Sequence, residues 1–256
     1  MNSEEIKKVG IVGAGNLAWH LSIGIQNAGY EIEGVYNRSE DKAERLATKL
    51  NTRVVTNFKR FKNCDLVLLV VSDDAIRELA GEINQLKAIV AHTSGNTSLE
   101  ILFPHQKIGV LYPVQSFSKH LEVDLREVPF LVEGNNDIVE NSLFNLASKL
   151  SQEVYKITSY QRRRLHVAAV FANNFTNHML KQAHDLCEEN DIPFSVLTPL
   201  IDETVSKIKT ITPVQAQTGP AVRHDHRTIE IHKKLLEGSY LKLYEMITDD
   251  IKQAYK

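Results

Sequence analysis

At 256 residues, with 43% hydrophobic and 24% charged residues and a net charge of −2, the chain has room for one large domain or two modest ones around a substantial core. It has no basic tail, which argues against a nucleic-acid partner. With no apolar run near the roughly 18 residues of a membrane span, no apolar signal region in the first residues, and two widely separated cysteines (Cys64, Cys187), the expectation is a soluble, cytoplasmic protein with reduced thiols.

In chain order, the strand-like run Lys8–Val12 stops at Gly13-Ala14-Gly15. It passes into a helical pattern over Leu17–Ala28, with Leu17, Leu21 and Ile25 on one face and Gly29 as its stop. A strand follows at Glu31–Tyr36, a helix at Ser39–Leu50, and strands at Arg53–Val55 and Leu66–Val71. Then come a helix at Asp74–Ile83, a strand at Ala88–His92 and a helix at Ser98–Leu102. Strands at Lys107–Val110 and Pro129–Val132 and a helix at Ile138–Leu150 complete this half. The run from Leu66 to Val71 is apolar on both faces, as a central parallel strand is. This alternation predicts a doubly wound α/β domain of Rossmann type over residues 1–158.

From residue 159 onward no strand is predicted. One long helix is predicted over Tyr160–Asn190, with Leu165, Ala168, Ala172, Phe175, Met179, Ala183 and Leu186 at steps of three and four. Pro193 follows it, and further helices are predicted at Ser195–Ile208, Thr228–Leu236 and Tyr240–Tyr255, with Thr212–Arg223 as a loop. The expectation is an all-α domain over residues 159–256. Arg162-Arg163-Arg164 is too short a run to signal nucleic acid and is expected on a solvated helix face.

The glycine turn carries the most specific chemistry. Its spacing is G-x-G-x-x-A: Gly13 allows a tight strand-to-helix turn, Gly15 allows close approach of a pyrophosphate, and Ala18 keeps the helix against its strand. The free N–H groups of the helix start, at Asn16 and Leu17, together with the helix dipole, favour the diphosphate of a dinucleotide. The second strand ends at Asn37-Arg38-Ser39 with no carboxylate, where an NAD site has an acidic residue. A guanidinium beside small polar donors suits the 2′-phosphate of NADP(H). The bland alternative makes Ser39 the N-cap of the next helix and leaves Arg38 in solvent. Val71, Ser72 and Asp73, at the carboxyl end of the buried strand, fall beside the same crevice, although Asp73 or Asp74 reads equally as a helix cap. His92-Thr93-Ser94-Gly95 ends the following strand in the same way, which puts Thr93 and Ser94 near the nicotinamide or the substrate.

On an ideal helix of 100° per residue, His166, Asn173 and Asn177 fall within roughly 40° of one another, away from Ala168, Ala172, Phe175 and Met179. Such an uncharged polar stripe fits a cleft wall, with His166 as acid or base and Asn173 and Asn177 positioning a carbonyl or imine. It also fits a domain or subunit interface satisfied by amides. Arg223 has the chemistry to clamp a substrate carboxylate. His224, Asp225 and His226 do not converge as metal ligands, and Asp225 reads as an N-cap, so no metal is expected. His178 and His232 read as structural or interfacial, not catalytic.

Gly13-Ala14-Gly15-Asn16-Leu17-Ala18, Asn37-Arg38-Ser39 and the helical second half resemble the pyrroline-5-carboxylate reductase and 6-phosphogluconate dehydrogenase superfamily. Three further segments, Gly109–Phe117, His166–Met179 and Thr218–Arg223, are similar to the Rossmann-like proteins labelled deazaflavin-dependent NADP oxidoreductases, and the likeness spans nearly the whole chain. It implies an NADP-binding first domain, a helical second domain and a homodimer formed through those helices. One departure stands out. Aligning the Asn pair of the β-hydroxyacid branch with Asn173-Asn174 puts Val170 where that branch has a catalytic Lys, which argues against its mechanism here. The leading expectation is therefore an NADP(H)-dependent oxidoreductase acting on a small carbonyl, imine or deazaflavin acceptor. Its cleft would be walled by Gln115 and Ser116 on one side and by His166, Asn173 and Arg223 on the other. The absent Lys motivates the alternative of a non-catalytic NADP-binding redox sensor.

Overall fold

The computed structural model describes residues 2–83 and 86–255, and its contacts divide the chain into two compact units, residues 1–171 and 172–256. The first unit is built on seven strands: β1 (Lys8–Val12), β2 (Glu31–Tyr36), β3 (Leu66–Leu69), β4 (Ile89–His92), β5 (Ile108–Pro113), β6 (Phe130–Gly134) and β7 (Val154–Lys156). Their order in the sheet is β2-β1-β3-β4-β5-β6-β7. The strands from β2 to β5 are mutually parallel, β6 runs antiparallel to β5, and β7 is parallel to β6. Helices α1 (Asn16–Asn27), α2 (Glu40–Lys49), α3 (Asp73–Ala80), α4 (Asp137–Leu150) and α5 (Ser159–Ala169) complete it.

The strand sequences explain why both faces are covered. Leu66 and Leu68 join Val9, Ile11, Ile89 and Ala91 in one core with α1, α2 and α4. Val67 and Leu69 face the other way, into a core with Val12, Phe61, Ile76, Val90 and Leu102. Period-2 alternation with an apolar residue at every position thus feeds two cores from one strand. Because β2 lies on one side of β1 and β3 on the other, the chain direction of travel reverses at the carboxyl end of β1. Such switch points open a crevice in doubly wound sheets.

Four expectations change. Arg53–Val55 is no strand: Val54 makes a single bridge to Val35. The strand β7 was not predicted, being three residues long with Tyr155 and Lys156 exposed. Residues 99–102 form a 3-10 turn in place of an α-helix. Arg162 is completely buried, although it had been expected in solvent with Arg163 and Arg164, which are exposed. The helical pattern begins near residue 159, as read from sequence, yet the contact boundary falls at 171/172, since Arg162 anchors α5 in the first unit.

The second unit contains α6 (Thr176–Glu188), α7 (Thr198–Lys207), α8 (Pro213–Ala216), α9 (His226–Lys234) and α10 (Gly238–Ala254). Asp225 caps α9 by accepting the Thr228 N–H, and His232 Nδ1 lies 2.9 Å from Tyr244 Oη, so both play the structural parts expected of them. An apolar hollow of about 360 Å³ lies between Met179, Ala183 and Leu186 on α6 and Tyr240, Tyr244 and Ile247 on α10. Between α5 and α6 the residues Val170–Phe175 form a π-helical segment. The wider i→i+5 turn advances less per residue than an α-helix. The 100° register that aligned His166 with Asn173 and Asn177 therefore does not run through this segment. No helix among the described residues is long and apolar enough to cross a membrane.

Candidate functional site

The candidate site starts at the end of β1. Gly13 takes φ +118, a conformation that side chains disfavour, and its N–H donates to the Tyr36 carbonyl at 2.7 Å. A Cβ on Gly13 would sit 2.1 Å from the Val70 carbonyl oxygen, which shows how closely the turn is pressed against the end of β3. Gly15, two residues on, faces open space. It is the N-cap of α1, no side chain caps that helix, and its first turn carries no acidic residue. By contrast, α4, α5 and α9 are capped by Asn136, Thr158 and Asp225. The N–H groups at the start of α1 are thus left for an anion, in a cradle that a side chain at residue 15 would fill.

From this turn a cavity of about 620 Å³ extends along the carboxyl ends of β1 to β4. All twelve residues that the sequence put near a dinucleotide line it: Gly13, Gly15, Asn16, Leu17, Asn37, Arg38, Ser39, Val71, Ser72, Asp73, Thr93 and Ser94. His166 lines it too. At one end Arg38 and Ser39 are exposed and Lys42 joins them from the first turn of α2. Glu78 of α3 reaches Arg38 across the mouth, its Oε2 lying 3.6 Å from Nη1. Ser39 occupies the N-cap position of α2, and Ser72 that of α3, without a side-chain capping bond in either case. Asp73 lies in the first turn of α3. The Asn16 amide donates to the Phe117 carbonyl at 3.0 Å, and Lys119 donates to the Ala14 carbonyl, so the loop after β5 braces the glycine turn.

The other end is built by Thr93, Ser94, Gly95, Tyr112 and His166. Tyr112 Oη lies 3.0 Å from His166 Nδ1. Gly95 is needed for the pair to fit, since a Cβ there would lie 2.5 Å from Nδ1 and 2.8 Å from Tyr112 Cζ. Burial raises the Tyr112 pKa, so its phenol is protonated at neutral pH. Beneath, the buried Arg162 binds the loop and the helix together. Its Nη1 donates to the Ser94 and Thr97 carbonyls at 3.0 and 2.8 Å, and its Nη2 to Glu133 Oε2 at 3.1 Å and Ser159 Oγ at 3.0 Å. Glu133 also accepts the Ser159 N–H and hydroxyl, at 2.8 and 2.7 Å. His166 stands one helical turn beyond Arg162, so these bonds fix its position.

His92, at the end of β4, is wholly buried and its Nδ1 accepts the Ser94 N–H. Burial first, and then the Arg162 charge, hold its pKa down at about 3. An unfolded histidine titrates near 6.5, so below that pH the unfolded chain binds a proton that the native state refuses. The stability attached to neutral His92 is therefore complete above pH 6.5 and falls away as the pH drops toward 3. Between pH 7 and pH 5 we expect a loss of roughly 2 kcal/mol from this group. Urea unfolding at the two pH values checks it: a His92→Gln variant with the same pH slope as the wild type would disprove the assignment.

Gln115 and Ser116 are exposed, outside the lining of this cavity, and the Gln115 side chain accepts the Ser116 N–H. Asn173, Asn177 and Arg223 belong to the second unit, where all three are exposed. The sequence reading missed Tyr112, Lys42 and Glu78, while Gly95 stood in the strand-end segment His92–Gly95 that it placed near the nicotinamide or the substrate. For Lys42 a signal existed, four residues after Arg38 on a predicted helix. For Tyr112 there was none, because its partner is 54 residues away.

Residues 3–115 match a family described as a Rossmann-like domain, and residues 128–251 match a domain of unknown function, DUF2520. No protein of curated function matches the chain. Among solved structures, a putative NADP oxidoreductase from Bacteroides fragilis is 37% identical, with a TM-score of 0.89, covering 97% of this chain and 98% of that one. An imine reductase from Myxococcus stipitatus in complex with NADP+ is 16% identical, with a TM-score of 0.70 and coverage of 96% and 93%. A 1-pyrroline-5-carboxylate reductase from Streptococcus pyogenes is 15% identical, with a TM-score of 0.66 and coverage of 96% and 98%. The last two share the fold alone. The first shares fold and sequence over nearly its whole length, and the chain belongs to the same family as that protein.

Proposed function

We propose that the protein is an NADP(H)-dependent oxidoreductase whose coenzyme occupies the cavity of the first unit. One observation carries the reading: a single cavity runs from an uncapped helix start at a glycine turn, past the cations Arg38 and Lys42, to the hydrogen-bonding pair Tyr112 and His166. The diphosphate is held by the turn at Gly13, Gly15, Asn16 and Leu17. The 2′-phosphate is held by Asn37, Arg38, Ser39 and Lys42, where no residue from 37 to 39 is acidic. Val71, Ser72 and Asp73 border the middle, and Thr93 and Ser94 the nicotinamide. The coenzyme supplies the hydride, while the protein binds it, orients it and places His166 to hold or deliver a proton at the heteroatom of a small carbonyl, imine or deazaflavin acceptor. The NADP+ bound by the Myxococcus stipitatus imine reductase is consistent with this reading.

Calorimetry with NADPH and NADH tests it. Arg38→Ala should weaken NADPH binding about 10- to 100-fold, the worth of about 1.5–3 kcal/mol for charge-assisted bonds to a phosphate, and leave NADH unchanged. Equal affinity for both coenzymes, indifferent to Arg38, would refute the phosphate assignment, and no binding of either would refute the function. We further infer a homodimer formed through the second unit, whose Val196, Leu200, Val214, Leu235 and Met246 are each at least 64% exposed. Apolar side chains so exposed in one small unit suit a subunit contact.

A further inference from the structure

The function proposed above gives His166 a role and Tyr112 none. We propose that Tyr112 is a positioning residue that fixes the tautomer of the His166 imidazole, with the proton on Nε2. The site then offers a hydrogen-bond donor, and its substrate is a lone-pair acceptor, a carbonyl or a neutral imine, in preference to an iminium cation. This deepens the proposed function and rests on it for the substrate class.

The geometry allows two arrangements of the 3.0 Å contact between Tyr112 Oη and His166 Nδ1. Either the phenol donates to an unprotonated Nδ1, or Nδ1–H donates to the phenol oxygen. In the second arrangement the phenol proton needs another acceptor, and no other hydrogen bond from Tyr112 Oη is found among the described residues. The second arrangement leaves the phenol proton of this half-buried residue without a protein acceptor, whereas the first satisfies both groups with one bond. The phenol keeps its proton at neutral pH, because burial raises its pKa. It therefore acts as an orienting donor to Nδ1.

The ring has little freedom to escape this contact. The two rings meet edge to face, with centroids 5.9 Å apart and planes at 73°. Gly95 closes the space beside them, and one turn back the Arg162 bonds to Ser94, Thr97 and Glu133 fix the helix that carries His166. With Nδ1 accepting from Tyr112, the tautomeric proton of the His166 imidazole sits on Nε2. A nitrogen so protonated pairs with a carbonyl oxygen or an imine lone pair. An iminium has no lone pair and repels a second donor.

Nitrogen-15 NMR of histidine-labelled full-length protein, at a pH where imidazoles are neutral, tests the tautomer without coenzyme. His166→Gln identifies the signals. We expect the wild type to show an unprotonated, hydrogen-bonded Nδ1 and a protonated Nε2, and Tyr112→Phe to shift the Nδ1 resonance markedly. A protonated Nδ1 in the wild type, or an Nδ1 resonance unmoved by Tyr112→Phe, overturns the proposal. For the substrate class, matched pairs of a neutral imine and its N-methyl iminium salt are compared with NADPH. The imine should be reduced faster, with kcat/KM lowered about fivefold by Tyr112→Phe, the worth of one neutral hydrogen bond. Faster reduction of the iminium salt overturns it. Failure to bind any coenzyme would strike the proposed function while the tautomer measurement stood on its own.

Discussion

Replacing Arg162 with Met is expected to lower the unfolding free energy by about 3–5 kcal/mol, the cost of removing one partner from a buried ion pair. Met matches the length of the stem, so the cavity term is small and the loss is polar. Glu133, whose side chain is 14% exposed, would keep its charge with only Ser159 to satisfy it. The Ser94 and Thr97 carbonyls would lose a donor inside the core. Arg162→Lys should recover only part of this, since a single ammonium cannot reach both carbonyls and the carboxylate as a guanidinium fork does. Urea unfolding at pH 7 measures both variants. A Met variant within about 1 kcal/mol of the wild type would show that α5 does not depend on Arg162 for its place on the sheet. The double change Arg162→Met with Glu133→Gln should be milder than Arg162→Met alone, because no charge is then stranded.

Arg162 also marks where the sequence stopped being readable. Three consecutive arginines read as a solvated face because charged side chains are seldom buried. The residues that make Arg162 an exception, Glu133 and the Ser94–Thr97 loop, are 29 and about 65 residues away. Nothing local announces such a bond, and the same holds for Tyr112 and His166. What was legible was what short-range physics dictates. Continuous apolar runs placed β1, β3 and β4. The glycine spacing located the turn. The polar residues at each strand end could be assigned to one crevice because the carboxyl ends of parallel strands lie on one edge of the sheet. That is why twelve residues scattered from Gly13 to Ser94 converge on a single cavity. The strand β7 escaped because three residues cannot display alternation. The π-helical segment at Val170–Phe175 escaped because the apolar spacing around it is compatible with an unbroken α-helix.

The two glycines of the turn should separate folding from binding, and the contrast between them is the sharpest test of the site. Gly13→Ala must place a methyl 2.1 Å from the Val70 carbonyl oxygen and 2.8 Å from its carbon, on a backbone at φ +118. Backbone cannot swing aside as a side chain does. Conformational strain of about 1–3 kcal/mol and overpacking of about 1–3 kcal/mol together predict a loss of roughly 2–6 kcal/mol of stability, visible as an earlier urea midpoint. Gly15→Ala meets nothing within 4 Å and keeps an ordinary φ of −76. Its stability should fall by no more than about 1 kcal/mol, the difference between glycine and alanine at the N-cap of α1. Its main cost appears when a ligand enters the space its methyl now fills, and NADPH binding should weaken about tenfold or more. Undiminished NADPH affinity in a folded Gly15→Ala protein would mean that the diphosphate does not sit on this turn. A Gly13→Ala protein as stable as the wild type would mean that β1 and β3 are not joined there as closely as the structure places them.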